Sequence, residues 1–477
     1  MKLIDDFLNG ITMYKLVLYF LILLAGVGLI YSFFKVLPFD PISYIFSFVF
    51  LVFVAGVANF IFAKTFEAPI NAESWIISAL ILGLIITPPT SLQGAFFLGW
   101  AAVLMVSTKF ILAIAKKHIF NPVAASVVLT SIFIGQSASW WVGTVSMLPI
   151  ITIGGFLVVR KIRRWDLVLS FLIAALITVK LGDWGRSITE TPLIFFSVIM
   201  ITEPLTTPPT RILRILYGVL IGLLLYFKTP EIAIVIGNIF SYIFSPKYKL
   251  ILKLRQKIRL TPDTYDFVFA TDGPINFRPG QYMEWTFEHS NPDSRGNRRY
   301  FTLASSPTEP EVRLGIKFGN PMSSYKYNLL PMKTGDKIAA GQLVGDFTLP
   351  KDPGKKLVFV AGGIGITPFR SMLKYLIDIG QRRNIVVIYT AKNEYDFVYG
   401  DILRLAQAKL GIRVIYNSSD KNGHLGSEEL AGLIPDFRDR TFYLSGSHSM
   451  VEGFETILGS MGVSRRRIVE DYFPGFV

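Results

Sequence analysis

The sequence predicts a polytopic α-helical membrane domain of about ten helices, arranged as a 5+5 inverted repeat and fused to an antiparallel β-barrel domain and an α/β domain. Two observations predict this fold class. Residues 1–246 carry 26 charged side chains and consist mainly of long apolar runs, whereas residues 247–477 carry 56 and alternate short strands with turns and helices. We therefore place the domains at 1–246, 247–352 and 353–477.

Apolar runs of roughly membrane-spanning length recur through the first domain. They are predicted near 14–35, 43–63, 74–88, 94–114, 122–138, 145–159, 166–182, 191–204, 212–227 and 231–245. Loops rich in Lys and Arg alternate with loops that carry few, and the positive-inside rule then places both termini in the cytoplasm. We expect an integral protein of a bacterial cytoplasmic membrane, in contact with the lipid bilayer, whose later domains are cytoplasmic.

The composition excludes several redox centres. The chain has no cysteine, which excludes iron–sulfur clusters, thiolate metal sites and disulfides within it. Of its four histidines only His118 lies before residue 247, so paired axial ligands for a transmembrane haem are not expected, and no metal site is predicted. The net charge of +14 follows from membrane topology, and we expect no nucleic-acid partner.

The tetrapeptide Thr-Pro-Pro-Thr occurs twice, at 87–90 and at 207–210. Each copy lies at the third element of a five-span half. An odd number of spans per half inverts the second half, and in such repeats broken helices bind a ligand near the midplane. The alternative is a chance recurrence, because proline is common at helix ends.

Polar side chains within the apolar runs are few, and they are costly in a bilayer. We predict that they line a cofactor or ion site; the alternative is that they only support broken helices, with Glu203 facing water or pairing with a cation. Trp140 and Trp141 are expected at the membrane interface, and the arginines at 160–164 are expected to anchor the topology. The candidate site residues of this domain are Thr87, Thr90, Lys109, Asn121, Glu203, Thr207 and Thr210.

Four segments of this domain carry a resemblance to a known family. They are Leu84–Thr90, Lys117–Pro122, Ile201–Pro204 and Tyr217–Gly222. They resemble the membrane subunits B of the sodium-pumping NADH:quinone oxidoreductase and D of the Rnf complex, which hold a flavin in an inverted-repeat fold. In those subunits the threonine of a Ser/Asp-Gly-Ala-Thr segment carries covalent FMN. Residues 137–144 lack that segment, and Glu203 replaces the usual aspartate, so the resemblance implies a second, non-covalent flavin, FMN or riboflavin.

The second part of the chain has the periodicity of strands. Leu250–Leu254, Tyr265–Phe269 and Tyr282–Phe287 are short strand patterns separated by turns, and they predict a small antiparallel barrel over about 248–350. The strand pattern Lys356–Ala361 follows.

After that strand comes the glycine-rich turn Gly362–Pro368 and a helix predicted over Phe369–Ile379. Small residues let the backbone approach a diphosphate, which the helix N-terminus then attracts. Strands predicted near 384–390, 412–416 and 441–445 alternate with helices, as in a parallel nucleotide-binding sheet. Taken alone, the turn is equally compatible with a plain tight connection.

The whole set of motifs is more specific than the turn. In chain order they are Arg299–Pro307, Gly319–Ser324, Gly345–Phe347, Gly362–Pro368, Tyr443–Ser447 and Glu470–Phe476. This order resembles the ferredoxin–NADP reductase superfamily across 248–477, which implies an FAD-binding barrel, an NAD(P)-binding α/β domain, and FAD with NADH or NADPH as cofactors.

The resemblance also implies residue roles. Arg299, with Tyr300 beside it, would bind the FAD diphosphate, Phe301 would stack on the flavin, and Thr302 would hydrogen-bond near N5. Ser323 and Ser324 would meet the FAD diphosphate.

The NAD(P)H side is implied in the same way. Ser445 would lie by the nicotinamide, where the family has Cys-Gly-Pro, and Phe473 or Phe476 would shield the flavin. Lys392 is either a ligand for the 2′-phosphate of NADPH or a solvated side chain, so the choice of nucleotide stays open. The residues implied to hold the NAD(P)H diphosphate are Gly362, Gly363, Gly365, Thr367 and Pro368.

These observations lead to one main hypothesis and two alternatives. The main one is a single-chain NAD(P)H-dependent, FAD-containing oxidoreductase that passes electrons into, and across, the membrane through a membrane-held flavin to a quinone or an extracytoplasmic acceptor. The first alternative is a transporter or channel regulated by the attached reductase. The second is a reductase that is merely anchored to the membrane. The sequence leaves the oligomeric state open.

Overall fold

The computed structural model divides into two compact units, Met1–Lys249 and Leu250–Val477. The first is helical and the second contains both β-sheets of more than two strands. The residues that the structure describes are 4, 7–8, 11–66, 72–114, 117–181, 192–244, 250–271, 275–287, 289, 297–320 and 322–473.

Helical segments lie at each predicted position of the first unit. They are α1 Met13–Phe33, α2 Pro41–Thr65, α3 Ala72–Ile85, α4 Leu92–Ile111, α5 Pro122–Phe133, α6 Leu148–Ile162, α7 Trp165–Leu181, α8 Leu193–Phe195, α9 Arg211–Leu224 and α10 Pro230–Phe244. The α8 helix continues as a π-helix over Phe196–Met200, and Ala113–Ile114 (β1) pairs antiparallel with Lys117–His118 (β2). Within the described residues, α1, α2 and α4 are long and apolar enough to cross a membrane.

The packing of these helices repeats along the chain. The α2 helix packs against α4, and five helices later α7 packs against α9; α1 packs against α3 as α6 packs against α8. Glycine lets α9 approach α7 closely, because a Cβ on Gly218 would lie 2.8 Å from the carbonyl oxygen of Leu167. The α5 and α10 helices, each the fifth of its half, contact one another.

The two tryptophans expected at the membrane interface are buried instead. Trp140 is 8% exposed and Trp141 is 6% exposed. Indole N–H groups need partners when buried. Trp140 donates to Oε2 of Glu231 (3.2 Å), and Trp141 donates to the carbonyl oxygen of Gly83 (2.9 Å). The pair therefore ties the α5–α6 connection to α3 and α10.

The second unit begins with a six-stranded antiparallel sheet of order β6-β5-β8-β3-β4-β7. Its strands are β3 Leu250–Thr261, β4 Thr264–Ala270, β5 Tyr282–Thr286, β6 Arg298–Thr302, β7 Val312–Lys317 and β8 Lys337–Val344, and the short helix α11 spans Ser324–Leu329. The backbone N–H of Ala304 donates to the carbonyl of Arg313 (2.9 Å), which brings the two edges of the sheet together. Trp285 and Phe267 fill its core.

A five-stranded parallel sheet of order β11-β10-β9-β12-β13 follows. Its strands are β9 Leu357–Gly362, β10 Ile385–Ala391, β11 Arg413–Ser418, β12 Thr441–Ser447 and β13 Ile468–Phe473, and its helices are α12 Thr367–Asp378, α13 Gly400–Leu410, α14 Ser419–Asn422, α15 Ser427–Leu433 and α16 His448–Ser460. The central strands are continuous apolar runs because both faces of the sheet are covered. The strand order reverses beside β9, which is where such sheets bind ligands.

Candidate functional site

Strand β6 presents its predicted residues on two faces, because side chains alternate along a strand. Arg299 and Phe301 both contact the ring of Tyr325, on α11. The guanidinium carbon of Arg299 lies 5.1 Å from the ring centroid, and the Phe301 ring lies 5.9 Å from it. Tyr300 points the other way and donates to Oε2 of Glu284 (2.9 Å). The structure thus brings two of the predicted flavin residues together around a tyrosine that the motif did not single out.

The two predicted serines begin α11. Ser323 is buried, and its hydroxyl caps the helix by accepting from the N–H of Lys326 (3.3 Å). The hydroxyl of Ser324 lies 3.3 Å from Nε2 of His289, which was not predicted as a site residue. A phosphate at this helix start would meet Ser324, His289 and the nearby Arg299.

Thr302 shares its environment with the last strand of the chain. Its hydroxyl donates to Oδ2 of Asp471 (3.5 Å). Asp471 pairs in register with Ser445 of β12, so the two side chains lie next to each other on one face of the sheet. The Ser445 hydroxyl is fully buried and has no hydrogen-bond partner among the described residues. A buried, unpaired hydroxyl indicates a place where a ligand group completes the site.

The predicted glycine-rich turn forms a 3₁₀ turn over Gly363–Ile366 that leads into α12. No side chain caps the start of α12, whereas Ser323 and Ser447 cap the helices that follow them. The Thr367 N–H donates to the carbonyl of Ile364, and the N–H groups at a helix start that have no such partner bind anions. Thr367 and Pro368 form the first turn, and the Thr367 hydroxyl donates to the carbonyl of Ile364 (3.1 Å).

Three glycines of this turn have different surroundings. Gly363 has φ of +51°, which favours glycine, and a Cβ there would meet nothing within 4 Å. A Cβ on Gly365 would lie 2.2 Å from the carbonyl oxygen of Ser445. A Cβ on Gly362 would lie 2.8 Å from the sulfur of Met450. The turn is therefore pressed against β12 while its outer side is open.

These residues fit FAD and a nicotinamide dinucleotide. The unpaired Ser445 hydroxyl and the Thr302 hydroxyl flank the place for the reacting rings, and the uncapped start of α12 suits a diphosphate. FAD would be held by Arg299 and Phe301, and the dinucleotide by Gly362–Pro368.

A buried polar network links the barrel to the parallel sheet. Asp266 on β4 is 1% exposed; Arg313 donates to its Oδ2 (2.9 Å) and the Tyr399 hydroxyl to its Oδ1 (3.2 Å). Burial raises the pKa of Asp266, and the nearby arginines oppose that shift.

Arg370 on α12 makes two bonds to Glu309 (2.7 and 2.9 Å). Burial acts to raise the pKa of Glu309, but the bonds from Arg370 outweigh it and hold the pKa low.

The first unit contains an open-mouthed cavity whose volume of about 70 Å³ has room for a few water molecules before any side chain moves. Its walls are mainly aliphatic. Its polar lining comes from Ser74 and Ser78 of α3, from Asn121, and from Thr202 and Glu203 after α8.

Asn121 and Glu203 are joined directly. Nδ2 of Asn121 donates to Oε2 of Glu203 (3.0 Å), and Oδ1 of Asn121 caps α5. Oδ1 of Asn238, on α10, accepts from the backbone N–H of Asn121 (2.7 Å). The Thr206 hydroxyl donates to Oε2 of Glu203 (3.2 Å), and Nδ2 of Asn238 donates to the Tyr217 hydroxyl (3.0 Å). Sequence reasoning found Asn121 and Glu203 but missed Asn238, which looks like an ordinary helix residue.

The other predicted residues of this unit lie around the cavity or away from it. Lys109 donates to Ser74 and Ser78, so it supports the wall without lining it. Thr207 accepts a bond from Arg164, and Thr210 begins α9.

Thr87 and Thr90 do not join the cavity. Both are exposed in the turn after α3, whereas the cavity is lined by the first turns of that helix.

Three further predictions concern the reductase end of the chain. Phe473 is the last residue of β13, and Phe476 lies outside the described residues. Lys392 is exposed after β10, and its carbonyl accepts from the N–H of Asp420 (3.0 Å). Both of its alternatives therefore stay open.

Known proteins are similar to part of this chain. Residues 359–455 match the family described as Oxidoreductase NAD-binding domain. A flavohemoprotein of Rhodopirellula baltica is 27% identical over 226 residues, 42% of this chain and 54% of that protein. The glycine betaine monooxygenase reductase subunit of Pseudomonas aeruginosa is 26% identical over 231 residues, 45% of this chain and 62% of that protein. The chain thus spans little more than half the length of these relatives.

Solved structures are similar over the same share of the chain. Ferredoxin-NADP+ reductase from Plasmodium falciparum, with 2′P-AMP, has 21% identity and a TM-score of 0.41, and the match covers 48% of this chain and 97% of that one. With the matched residues 359–455 and these relatives, the C-terminal half of the protein is ferredoxin–NADP reductase-like.

Proposed function

We propose that the protein is an FAD-containing NAD(P)H oxidoreductase that delivers electrons into the membrane. The redox part of the proposal rests on three residues, Thr302, Ser445 and Asp471, which lie together beside the uncapped start of α12. FAD, when bound, supplies the group that accepts a hydride and releases electrons singly. This geometry suits hydride transfer, because a nicotinamide whose diphosphate rests on α12 would reach the buried hydroxyl of Ser445.

Each residue has a defined task in this proposal. The N–H groups of the 3₁₀ turn and of α12 bind the dinucleotide diphosphate. Thr302 positions the flavin edge through its hydroxyl, and Asp471 fixes the orientation of that hydroxyl. Phe301 and Tyr325 form an apolar wall that excludes water from the flavin.

The membrane part of the proposal rests on the first unit. Large apolar side chains are exposed on the outer faces of its helices, such as Ile22, Phe53 and Phe96, and aqueous surfaces rarely carry so many. Glu203 and Asn121 on the cavity wall match the edge of a flat ring that has both N–H donors and carbonyl acceptors, as a flavin does, and the surrounding aliphatic side chains would have to move apart to admit that ring. Electrons would pass from FAD to this second, non-covalent flavin and on to a quinone or an acceptor beyond the membrane.

The first experiment measures the flavin content of the purified full-length protein, by acid release and chromatographic identification. FAD together with FMN or riboflavin, each near one per chain, is the expected result. Stopped-flow mixing with NADH or NADPH should then show two bleaching phases, the second from the membrane flavin. FAD alone, with a single phase, would contradict the membrane flavin. Ion flux into liposomes that is independent of NAD(P)H would instead favour a transporter.

A further inference from the structure

His118 and Glu203 form a loose pair at the edge of the cavity in the first unit. Nε2 of His118 lies 3.6 Å from Oε1 of Glu203, and the two side chains are 15% and 25% exposed. Nε2 of His118 is buried and has no hydrogen-bond partner among the described residues. A small movement would bring these two atoms within hydrogen-bond distance, so the pair can form and break this bond without a large rearrangement.

The neighbours of Glu203 bond to one of its two carboxylate oxygens, and the other oxygen can accept a proton or a further bond. Oε2 of Glu203 accepts from Asn121 (3.0 Å) and from Thr206 (3.2 Å), which fixes the orientation of the carboxylate. Oε1 faces His118, and Glu203 lines the cavity. An ionisable side chain inside an apolar helical unit is costly, and such residues mark ion or proton pathways.

Several titratable side chains lie near the pair. Arg164, before α7, and Glu203 both act electrostatically on Tyr217, on α9, and Tyr14 lines the cavity. Arg164 donates to Thr207, and the Tyr217 hydroxyl accepts from Asn238. Lys109 donates to serines in the wall of the cavity. An imidazole can accept a proton at one ring nitrogen and donate one from the other, and His118 is the only histidine before residue 247.

We propose that His118 and Glu203 relay protons from water to the redox ring that the cavity holds, an inference that rests on the proposed function. Reduction of a bound flavin or quinone would consume two electrons and two protons; the hydride of NAD(P)H would supply both electrons and, after its release to water, one of the protons. Overall, NAD(P)H, one proton and the oxidised ring would give NAD(P)⁺ and the reduced ring. Nε2 of His118 would pass each proton to Oε1 of Glu203, Glu203 would hold it toward the ring, and water would reprotonate His118.

The test follows electrons and protons together in the full-length protein with its flavins bound. Stopped-flow absorbance separates reduction of FAD from reduction of the second ring, and a pH-indicator dye records proton uptake. His118→Gln should leave FAD reduction unchanged and slow both ring reduction and proton uptake by about tenfold or more, because positioned acid–base groups contribute roughly 10²–10⁴-fold. Added imidazole should restore both rates. Bleaching near 450 nm identifies a flavin as the ring, whereas ultraviolet changes alone identify a quinone.

Infrared difference spectra give a readout that is independent of the rate. Reduction of the wild-type protein should produce a carboxylic acid band that is missing in Glu203→Gln. The matched controls are His424→Gln, which removes an exposed histidine, and Glu231→Gln, which alters a buried carboxylate that does not line the cavity. Both should keep the wild-type proton uptake and the infrared band.

The outcomes separate the relay from the proposed function. A wild-type protein without any second redox ring overturns the proposed function, and the relay with it. A second ring that is reduced at the wild-type rate in His118→Gln overturns the relay alone. Slow reduction that imidazole does not restore also overturns the relay, because it assigns His118 a purely structural role.

Discussion

The Thr302 hydroxyl and the Asp471 carboxylate meet at 3.5 Å, although they lie on strands of different sheets. One residue belongs to the barrel and the other to the last strand of the parallel sheet. The parallel sheet therefore sets the orientation of a barrel hydroxyl at the place where the two cofactors would react. Hydride transfer should depend on both residues.

Asp471→Asn should slow reduction of FAD by NAD(P)H with little change in KM. A hydrogen bond to a charged group contributes about 1.5–3 kcal/mol, which corresponds to roughly 10- to 100-fold in rate if it acts in the transition state. Stopped-flow bleaching of FAD measures the effect. Asp439→Asn, which changes an exposed carboxylate of the same domain, should behave as wild type. A large rise in KM at an unchanged maximal rate would contradict the assigned role.

Gly365→Ala should damage the nucleotide site. The added Cβ would lie 2.2 Å from the carbonyl oxygen of Ser445 and 2.5 Å from its carbonyl carbon, so backbone must shift. We expect KM for NAD(P)H to rise by about tenfold or more while FAD stays bound. Steady-state kinetics and flavin content check this. Gly453→Ala, in α16 with open space around the Cβ, is the control and should leave KM unchanged.

Asp266→Asn should destabilise the second unit. It removes the charge of the buried Asp266 from its pair with Arg313 (2.9 Å) and leaves Arg313 the longer pair with Glu309 (3.6 Å), so we expect a loss smaller than about 3–5 kcal/mol, the cost of breaking a fully buried pair. Release of FAD fluorescence during denaturation of the full-length protein reports the loss. Glu428→Gln, an exposed change on α15, should have no measurable effect. A midpoint equal to that of wild type would show that the network does not stabilise the fold.

Glu309 should make the second unit acid-sensitive. Burial alone would raise its pKa, but bonds from Arg370 hold the pKa below the ordinary value of 4.5. A carboxyl whose folded pKa is lowered stabilises the fold above its unfolded pKa and loses that contribution as pH falls through the folded pKa. Stability should therefore fall below about pH 4.5. In Glu309→Gln the unit should be weaker at pH 7 and its stability should change less with pH in that window; an identical pH dependence would contradict the assignment.

The central strands of the parallel sheet were predictable because they are buried on both faces, as in the strand predicted at 384–390 and observed at Ile385–Ala391. The strand predicted at 412–416 is observed at Arg413–Ser418, at the edge of the sheet, where it is only partly buried. Continuous apolar runs bounded by turns carry that information locally. The ferredoxin–NADP reductase-like character followed from the order of motifs.

Two site residues were not predictable in the same way. Asp471 was visible only as one acid in the C-terminal segment, because its contact with Thr302 joins residues far apart in the chain. Asn238 carries no local signal, since its bond to Asn121 exists only once α5 and α10 meet. Thr87 was assigned to the site because of the repeated tetrapeptide, whereas the cavity is lined by earlier residues of α3.

The surroundings of Gly83 differ from those of Glu203, although the two residues hold equivalent places in the repeated tetrapeptide segments. Glu203 precedes Thr207 by four residues, and Gly83 precedes Thr87 by four. The ring of Phe48 fills the space beside Gly83, whose carbonyl accepts from the Trp141 indole, whereas the carboxylate of Glu203 lines a cavity. The acid therefore offers a hydrogen-bond acceptor to a bound group, and the packed glycine offers none.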